Sequence, residues 1–178
     1  MIRRGAVLAA FFALFPCLSV RPGPAEALRQ AKETECLAHV RELRLAMDLY
    51  QERFGKFPDR LEDLLICGKA GLVLKQFYCD EEWSEFEQNR EEFPPEGNEK
   101  KLAAWFKAHP PGYVYVRKQL DALSPAEGIV LFERRPSRRW KRSVAFADGH
   151  VEEIADEKFL PLAKSRGLDL DKLCDTGK

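Results

Sequence analysis

The feature of this sequence that most limits its fold is the helical pattern of residues 25–54, which contain neither proline nor glycine. Apolar residues recur there at intervals of three and four, the spacing that places side chains on one face of a helix. The stripe consists of Cys36, Val40, Leu43, Met47, Tyr50 and Phe54, widened by Leu37, Leu45 and Leu49. The opposite side carries Arg41, Glu42, Arg44, Asp48 and Glu52. The pattern predicts a long amphipathic helix that buries one face and ends at Gly55, a residue suited to a left-handed C-cap.

Residues 1–27 form a unit of their own. A basic start at 1–4 is followed by an almost wholly apolar run at 5–20, a Pro-Gly-Pro breaker at 22–24 and the triplet Ala-Glu-Ala at 25–27. A basic region, an apolar region and a small-x-small site in this order are typical of a secretory signal peptide.

Two fates remain open for this segment. Cleavage after Ala27 would leave Leu28 as the first residue. Alternatively the segment stays as a membrane anchor, although its apolar run is shorter than the roughly 20 residues that span a bilayer. Both predict an exported chain, either periplasmic or anchored in the inner membrane with its domain in the periplasm. Residues 28–178 are long enough for a single globular domain with its own core.

The charges of the chain balance, with 29 Lys and Arg against 29 Asp and Glu. This balance gives no indication of a nucleic-acid partner. The most basic segment contains Arg134, Arg135, Arg138, Arg139, Trp140, Lys141 and Arg142. We interpret it as a solvated loop between two strands. It is also a candidate interaction loop for anionic lipid, for polysaccharide or for the acidic segment 80–92 of a neighbouring copy.

Four cysteines lie beyond the N-terminal segment: Cys36, Cys67, Cys79 and Cys174. An even number in an oxidising compartment favours disulfides, and four cysteines allow three connectivities. Cys67 with Cys79 is the most local pair, and Cys36 with Cys174 would then join the long helix to the tail. Free buried thiols are the alternative. The spacing is not that of a zinc site, so we predict no metal.

Short helices are expected after Gly55. Asp59 is placed to cap a helix with Glu62 as the second member of a capping box and with Leu61, Leu64 and Leu65 on its apolar side. Residues 72–78 are apolar and predicted to be extended. Residues 80–111 are predicted to be a helical insertion, in which an acidic run forms a solvated helix face and a further helix covers 99–109.

The second half is predicted to form strands, at 113–116, 128–133, 143–147 and 150–154. Asp148-Gly149 fits a two-residue type I′ turn between the last two strands. In that register Phe146 faces Val151 on the core side, and His150 and Glu152 are wet. One or two short helices are expected over 156–173. A long helix followed by antiparallel strands defines the α+β class.

Several of these segments resemble one protein family. Ala31-Lys32-Glu33, Cys36-Leu37, the run from Leu43 to Tyr50, and Gly55-Lys56-Phe57-Pro58 are similar to the end of the long helix in type II secretion pseudopilins and prepilin-like proteins. Leu61-Glu62-Asp63-Leu64 resembles their next element, Phe77-Tyr78-Cys79 a strand that ends in cysteine, and Tyr113-Val114-Tyr115 part of their sheet. The segment 144–152, with Phe-Ala-Asp-Gly-His-Val, resembles the subgroup that carries a His-x9-Asp-Gly signature. The resemblance implies a pilin-like fold and a structural role in a secretion or pilus-type envelope assembly.

Two positions depart from that family. Arg138 stands where the signature has histidine, and Ala10 stands where prepilins carry a glutamate at the fifth mature position. A pseudopilin lacking the glutamate and a soluble, signal-cleaved periplasmic binding or scaffold module therefore both remain as interpretations. Partners implied by the resemblance are other envelope or secretion proteins, further copies of the chain, and the membrane if the N-terminal segment is kept.

No catalytic constellation is present in the sequence. It contains no Gly-x-Ser-x-Gly, no His-Glu-x-x-His and no glycine-rich phosphate loop. The three histidines are interpreted structurally, His39 as a half-buried helix residue, His109 as a helix end and His150 as part of the turn. We therefore predict no enzyme, no cofactor and no metal.

Overall fold

The computed structural model describes residues 24–66, 71–89, 92–94, 98–122, 124–137 and 140–174. Its elements are α1 (Pro24–Phe54), α2 (Asp63–Ile66), a 3₁₀ turn (Leu74–Phe77), α3 (Asp80–Gln88), α4 (Glu99–Ala108), β1 (Tyr113–Tyr115), α5 (Gln119–Ala122), β2 (Ile129–Glu133), β3 (Lys141–Phe146), β4 (Val151–Ala155), α6 (Asp156–Ser165) and α7 (Leu170–Cys174). These elements confirm the α+β class, the helices within 80–111 and the helices at the C-terminus.

Most of the N-terminal segment lies outside the described residues, which begin at position 24. Within the described ranges, no helix combines the length and the apolar character needed to cross a membrane.

The four strands form one antiparallel sheet in the order β1-β2-β3-β4. Successive side chains of a strand point to opposite faces, and both faces of β2 and β3 are covered. On one face α1 contributes Val40, Leu43 and Met47 to a core cluster that includes Leu131 and Ala145. On the other face Phe159 and Ala163 of α6 pack with Ile129, Phe132, Val144 and Phe146. The sheet is thus the middle of three layers.

Helix α1 ends where the sequence predicts. Gly55 has φ +71° and its N–H donates to the carbonyl of Gln51 at 2.8 Å. The predicted stripe is only partly correct, because Leu45, Leu49 and Phe54 are 60%, 46% and 45% exposed. Arg44, which the pattern places on the wet side, is 4% exposed. The buried face therefore contains a cation, and two of the predicted leucines lie outside it.

The β3–β4 hairpin differs from the predicted two-residue turn by one residue. Ala145 pairs with Val151, and the N–H of Phe146 donates to the carbonyl of His150 at 3.0 Å. The loop is therefore 147–149, and Gly149 takes a positive φ of +94°. A slip of one residue exchanges the faces of a strand, so Phe146 and Val151 lie on opposite sides of the sheet rather than facing each other. His150 and Glu152 are exposed, as expected.

Two expectations before the insertion are wrong. Helix α2 starts at Asp63, whose carboxylate accepts the N–H of Arg60 at 2.9 Å, while Asp59 pairs with Lys56 instead of capping. Residues 72–78 are not an extended strand, because Leu74–Phe77 form a 3₁₀ turn. The side chain of Gln76 closes that turn by accepting the N–H of Val73 at 2.7 Å.

Candidate functional site

Three potential ligand side chains meet where α1, the insertion and the sheet adjoin. The Sγ atoms of Cys36 and Cys79 and a carboxylate oxygen of Glu133 all lie within 4.8 Å of one another. Cys36 belongs to α1, Cys79 directly precedes α3, and Glu133 ends β2. The distance from Cys79 Sγ to Glu133 Oε1 is 3.9 Å. We call these three residues the Cys-Cys-Glu cluster.

The position of Cys79 is fixed by its neighbours in sequence. Phe77 and Tyr78 are 0% and 1% exposed, so the chain entering Cys79 is anchored in the core. The carbonyl of Phe77 accepts the N–H of Gly112 at 2.9 Å, which ties this segment to the start of β1. The carboxylate of Glu82 accepts the N–H of Cys79 at 3.3 Å, as a capping-box residue does at the start of a helix.

Glu133 is an acidic residue in the interior, only 3% exposed. Its Oε2 accepts the N–H of Ser143 on β3 at 2.6 Å, and its other oxygen faces the thiols. Burial raises the pKa of the Glu133 carboxyl, because the ionised form loses hydration that the hydrogen bonds from Ser143 and Cys36 replace only in part.

The Cys79 thiol is not an activated nucleophile. A hydrogen bond with Cys36, together with burial, holds the pKa of Cys79 well above its usual range. A reactive cysteine needs the opposite shift, since the thiolate is the nucleophile. The raised pKa therefore does not favour Cys79 as a catalytic nucleophile.

A line of polar side chains leads from the cluster to the surface. The Tyr113 hydroxyl contacts Cys79 and lies 3.5 Å from Nδ1 of His39. His39 is 6% exposed and has a lowered pKa, chiefly because of burial. Its Nε2 lies 3.9 Å from Glu35, which pairs at 2.7 Å with Lys75 near the surface. The line holds the phenol and the imidazole in place beside the thiols.

The predicted cysteine pairs are replaced by a different arrangement. Cys67 lies outside the described residues, and no disulfide joins the three described cysteines, Cys36, Cys79 and Cys174. Cys36 lies beside Cys79, while Cys174 packs on the other face of the sheet, against the core that includes Phe132 and Phe159. The proposed link between α1 and the tail is therefore wrong, because the sheet lies between the two cysteines.

The turn residues of the sequence prediction lie in the β3–β4 loop. Asp148 Oδ1 accepts the N–H of His150 at 3.1 Å and lies 2.5 Å from its Nδ1. Gly149 supplies the positive φ. Asp148 and Gly149 therefore stabilise the conformation of the hairpin loop.

The basic segment is not a uniform solvated loop. Arg138 and Arg139 lie outside the described residues. Arg142 is 7% exposed and donates to Asp156 at 2.5 Å and to the Glu133 carbonyl at 2.8 Å. Arg134 is half-buried and donates to the Pro111 carbonyl at 3.0 Å.

Arg142 is thus an internal strand residue, not an interaction residue. Lys141 also belongs to β3, where it pairs with Glu153 at 3.5 Å. Of the described members, Arg135 and Trp140 remain exposed, Trp140 by 71%.

Sequence reasoning missed the Cys-Cys-Glu cluster because its members are far apart in the chain. One signal was available in the sequence: Glu133 directly follows the apolar run Ile-Val-Leu-Phe. In the structure all five residues are buried. A charged residue that ends a fully buried strand needs a partner in the interior.

Comparison with known protein families, with curated proteins and with solved structures returned no match for this chain. Function must therefore be inferred from its residues and their geometry.

Proposed function

We propose that this chain is a non-enzymatic, exported pilin-like protein that serves as a structural component of a type II secretion or pilus-type envelope assembly. The proposal combines the N-terminal sequence with an α1 helix that lies on an antiparallel sheet.

The observation that carries the proposal is the exposure of side chains in the first turns of α1. Of the positions there whose burial is described, Ala25, Ala27, Ala31 and Thr34 are exposed and Glu35 is half-buried. At 31 residues the helix is about 46 Å long. An isolated helical end of this kind gains little from its own domain, because helices in water are stabilised mainly by packing one face. A neighbouring subunit or a membrane surface would supply that packing.

A second support is the exposed apolar surface further along the same helix. Leu45, Leu49 and Phe54 are 60%, 46% and 45% exposed. Leu45 and Leu49 are four residues apart and so are neighbours on one side of α1. An apolar strip on the side away from the sheet fits contact with other copies of the helix.

The second candidate is a soluble periplasmic binding or scaffold module with the same domain. It is favoured by the Pro-Gly-Pro sequence at 22–24, because proline and glycine disfavour one continuous helix from the apolar run into α1. It is also favoured by Ala10, where prepilins carry glutamate.

The N-terminal residue of the native protein separates the two candidates. Mass spectrometry of the protein from membrane and soluble fractions should find a start at Met1 or Ala6 in the membrane fraction. A start at Leu28, confined to the soluble fraction, would reject the assembly role and leave the scaffold module.

A further inference from the structure

We propose that Cys36, Cys79 and Glu133 bind one zinc ion, which joins α1, the start of α3 and the end of β2. The site is independent of the envelope role proposed above.

The distances suit a metal ion. In a tetrahedral zinc site, with bonds of about 2.3 Å to sulfur and 2.0 Å to oxygen, two sulfurs are about 3.8 Å apart and sulfur and oxygen about 3.5 Å apart. The three ligand atoms lie within 4.8 Å of one another, and Cys79 Sγ is 3.9 Å from Glu133 Oε1. Shifts of a few tenths of an ångström at each side chain would close the site.

The buried carboxylate favours a metal over a simple thiol pair. The Glu133 carboxylate accepts hydrogen bonds from the N–H and the side chain of Ser143, and its Oε1 faces the thiols. The ion pair of the nearby Arg142 goes to Asp156 and not to this carboxylate. A buried carboxylate without a cation is costly, and a disulfide between the two cysteines would remove even the thiol donors. A divalent ion would compensate its charge.

The ligand types select zinc. Calcium and magnesium are bound by oxygen, whereas copper(I) prefers sulfur ligands throughout. Zinc accepts thiolate and carboxylate together. Among the described histidine, cysteine, aspartate and glutamate side chains three ligands are present. The fourth position is then taken by water or by the Tyr113 hydroxyl, which contacts Cys79.

The surroundings orient the ligands as outer partners do in metal sites. The N–H of Ser143 fixes the Glu133 carboxylate, and the N–H of Cys79 is held by Glu82. Because the metal would bind only the folded chain, occupancy should also raise the melting temperature.

The test uses the full chain, isolated without chelator or added reductant. We expect about one zinc per chain by elemental analysis, loss of zinc and a lower melting temperature after chelation, and recovery of both when zinc is added. Cobalt(II) in place of zinc should give thiolate-to-cobalt absorption.

Matched variants locate the site. Cys36→Ser, Cys79→Ser and Glu133→Gln should each weaken zinc binding at least about tenfold, and Cys174→Ser should leave it unchanged. Glu133→Gln keeps the shape of the side chain and is the most conservative of the three. If a serine variant does not fold, the cobalt absorption of the wild-type chain still reports thiolate coordination.

Two results would overturn the proposal. One is a Cys36–Cys79 disulfide in the isolated protein, found by mass spectrometry after alkylation without reduction. The other is a pair of free thiols in a chain that neither retains zinc nor takes it up on titration.

Discussion

Arg44 shows how a single polar residue can be part of the interior. Its Nε donates to the carbonyl of Phe146 at 3.1 Å and its Nη2 donates to that of Ala147 at 2.9 Å. A third contact joins it to Asp48, one turn along α1, at 2.5 Å. The guanidinium thereby donates hydrogen bonds to the carbonyls at the end of β3 and holds the hairpin loop against the helix.

Replacing Arg44 with methionine should destabilise the domain. Arg44→Met keeps an unbranched side chain but leaves the Ala147 carbonyl without its donor and the Phe146 carbonyl with only the Gly149 N–H, at a cost of about 2–4 kcal/mol. Urea unfolding followed by circular dichroism measures the change. Arg41→Met is the control, because Arg41 is exposed on the same helix and should change stability by less than about 0.5 kcal/mol. Equal effects of the two variants would contradict the assigned role.

Burial was predictable from the sequence only for apolar residues that recur at the helical spacing. Val40, Leu43 and Met47 follow the helical spacing and are fully buried. The burial of Arg44 could not be predicted in this way, because its partners are carbonyls about 100 positions away that no local pattern reveals. The same limit applies to the Cys-Cys-Glu cluster. Zinc sites are recognised in a sequence by closely spaced Cys or His pairs, and these two cysteines come from separate parts of the chain.

At the scale of elements, the β3–β4 hairpin depends on one backbone conformation. The N–H of Gly149 donates to the carbonyl of Phe146 at 3.0 Å, and its φ of +94° disfavours a side chain. A Cβ at this position would meet nothing within 4 Å, so any cost of substitution comes from the backbone and not from a clash.

Gly149→Val should therefore destabilise the domain by about 1–3 kcal/mol, because a β-branched residue is an outlier at positive φ. Gly149→Asn should cost less, since asparagine tolerates positive φ better than other residues with a side chain. Thermal unfolding of the two variants gives the comparison. If asparagine and valine were equally harmful, backbone conformation would not be the cause.

The existence of most elements was predictable, but the register was not. The end of α1 at Gly55 and the four strands follow from glycine placement and from apolar runs. The sequence Asp-Gly suits a two-residue turn and also a three-residue loop ending in glycine, so it could not decide whether Phe146 faces Val151. The 3₁₀ turn Leu74–Phe77 was missed because a short apolar run without periodicity does not distinguish a turn from a strand.

At the scale of the whole molecule, the sheet separates two different surroundings. One face carries α1, the Cys-Cys-Glu cluster and the aromatic residues of the insertion, and the other carries α6 and α7. The α+β class was predictable from the order of the elements. The division into three layers follows from β2 and β3 being buried on both faces. The apolar residues 129–132 of β2 are consistent with that burial, whereas Lys141, Arg142 and Ser143 at the start of β3 give no indication of it.

The outer side of α1 is where the proposed assembly should be most sensitive. Leu45→Glu combined with Leu49→Glu puts two charges on the exposed apolar strip, so we expect self-association of the membrane-bound full chain to be lost. Both side chains are largely exposed, and the free energy of unfolding should change by less than about 1 kcal/mol. Chemical cross-linking in the membrane fraction measures association, and urea unfolding checks the fold.

Leu160→Glu is the matched control, because Leu160 is an exposed leucine, 45% accessible, on α6 and so on the opposite layer. Cross-linking should persist in that variant if α1 is the contact surface. Persistence in both variants would remove the apolar strip from the proposed interface and make the exposed Arg135 and Trp140 the next surface to test for self-association. Loss in both would indicate that added charge alone prevents association, and the contact would then not be specific to α1.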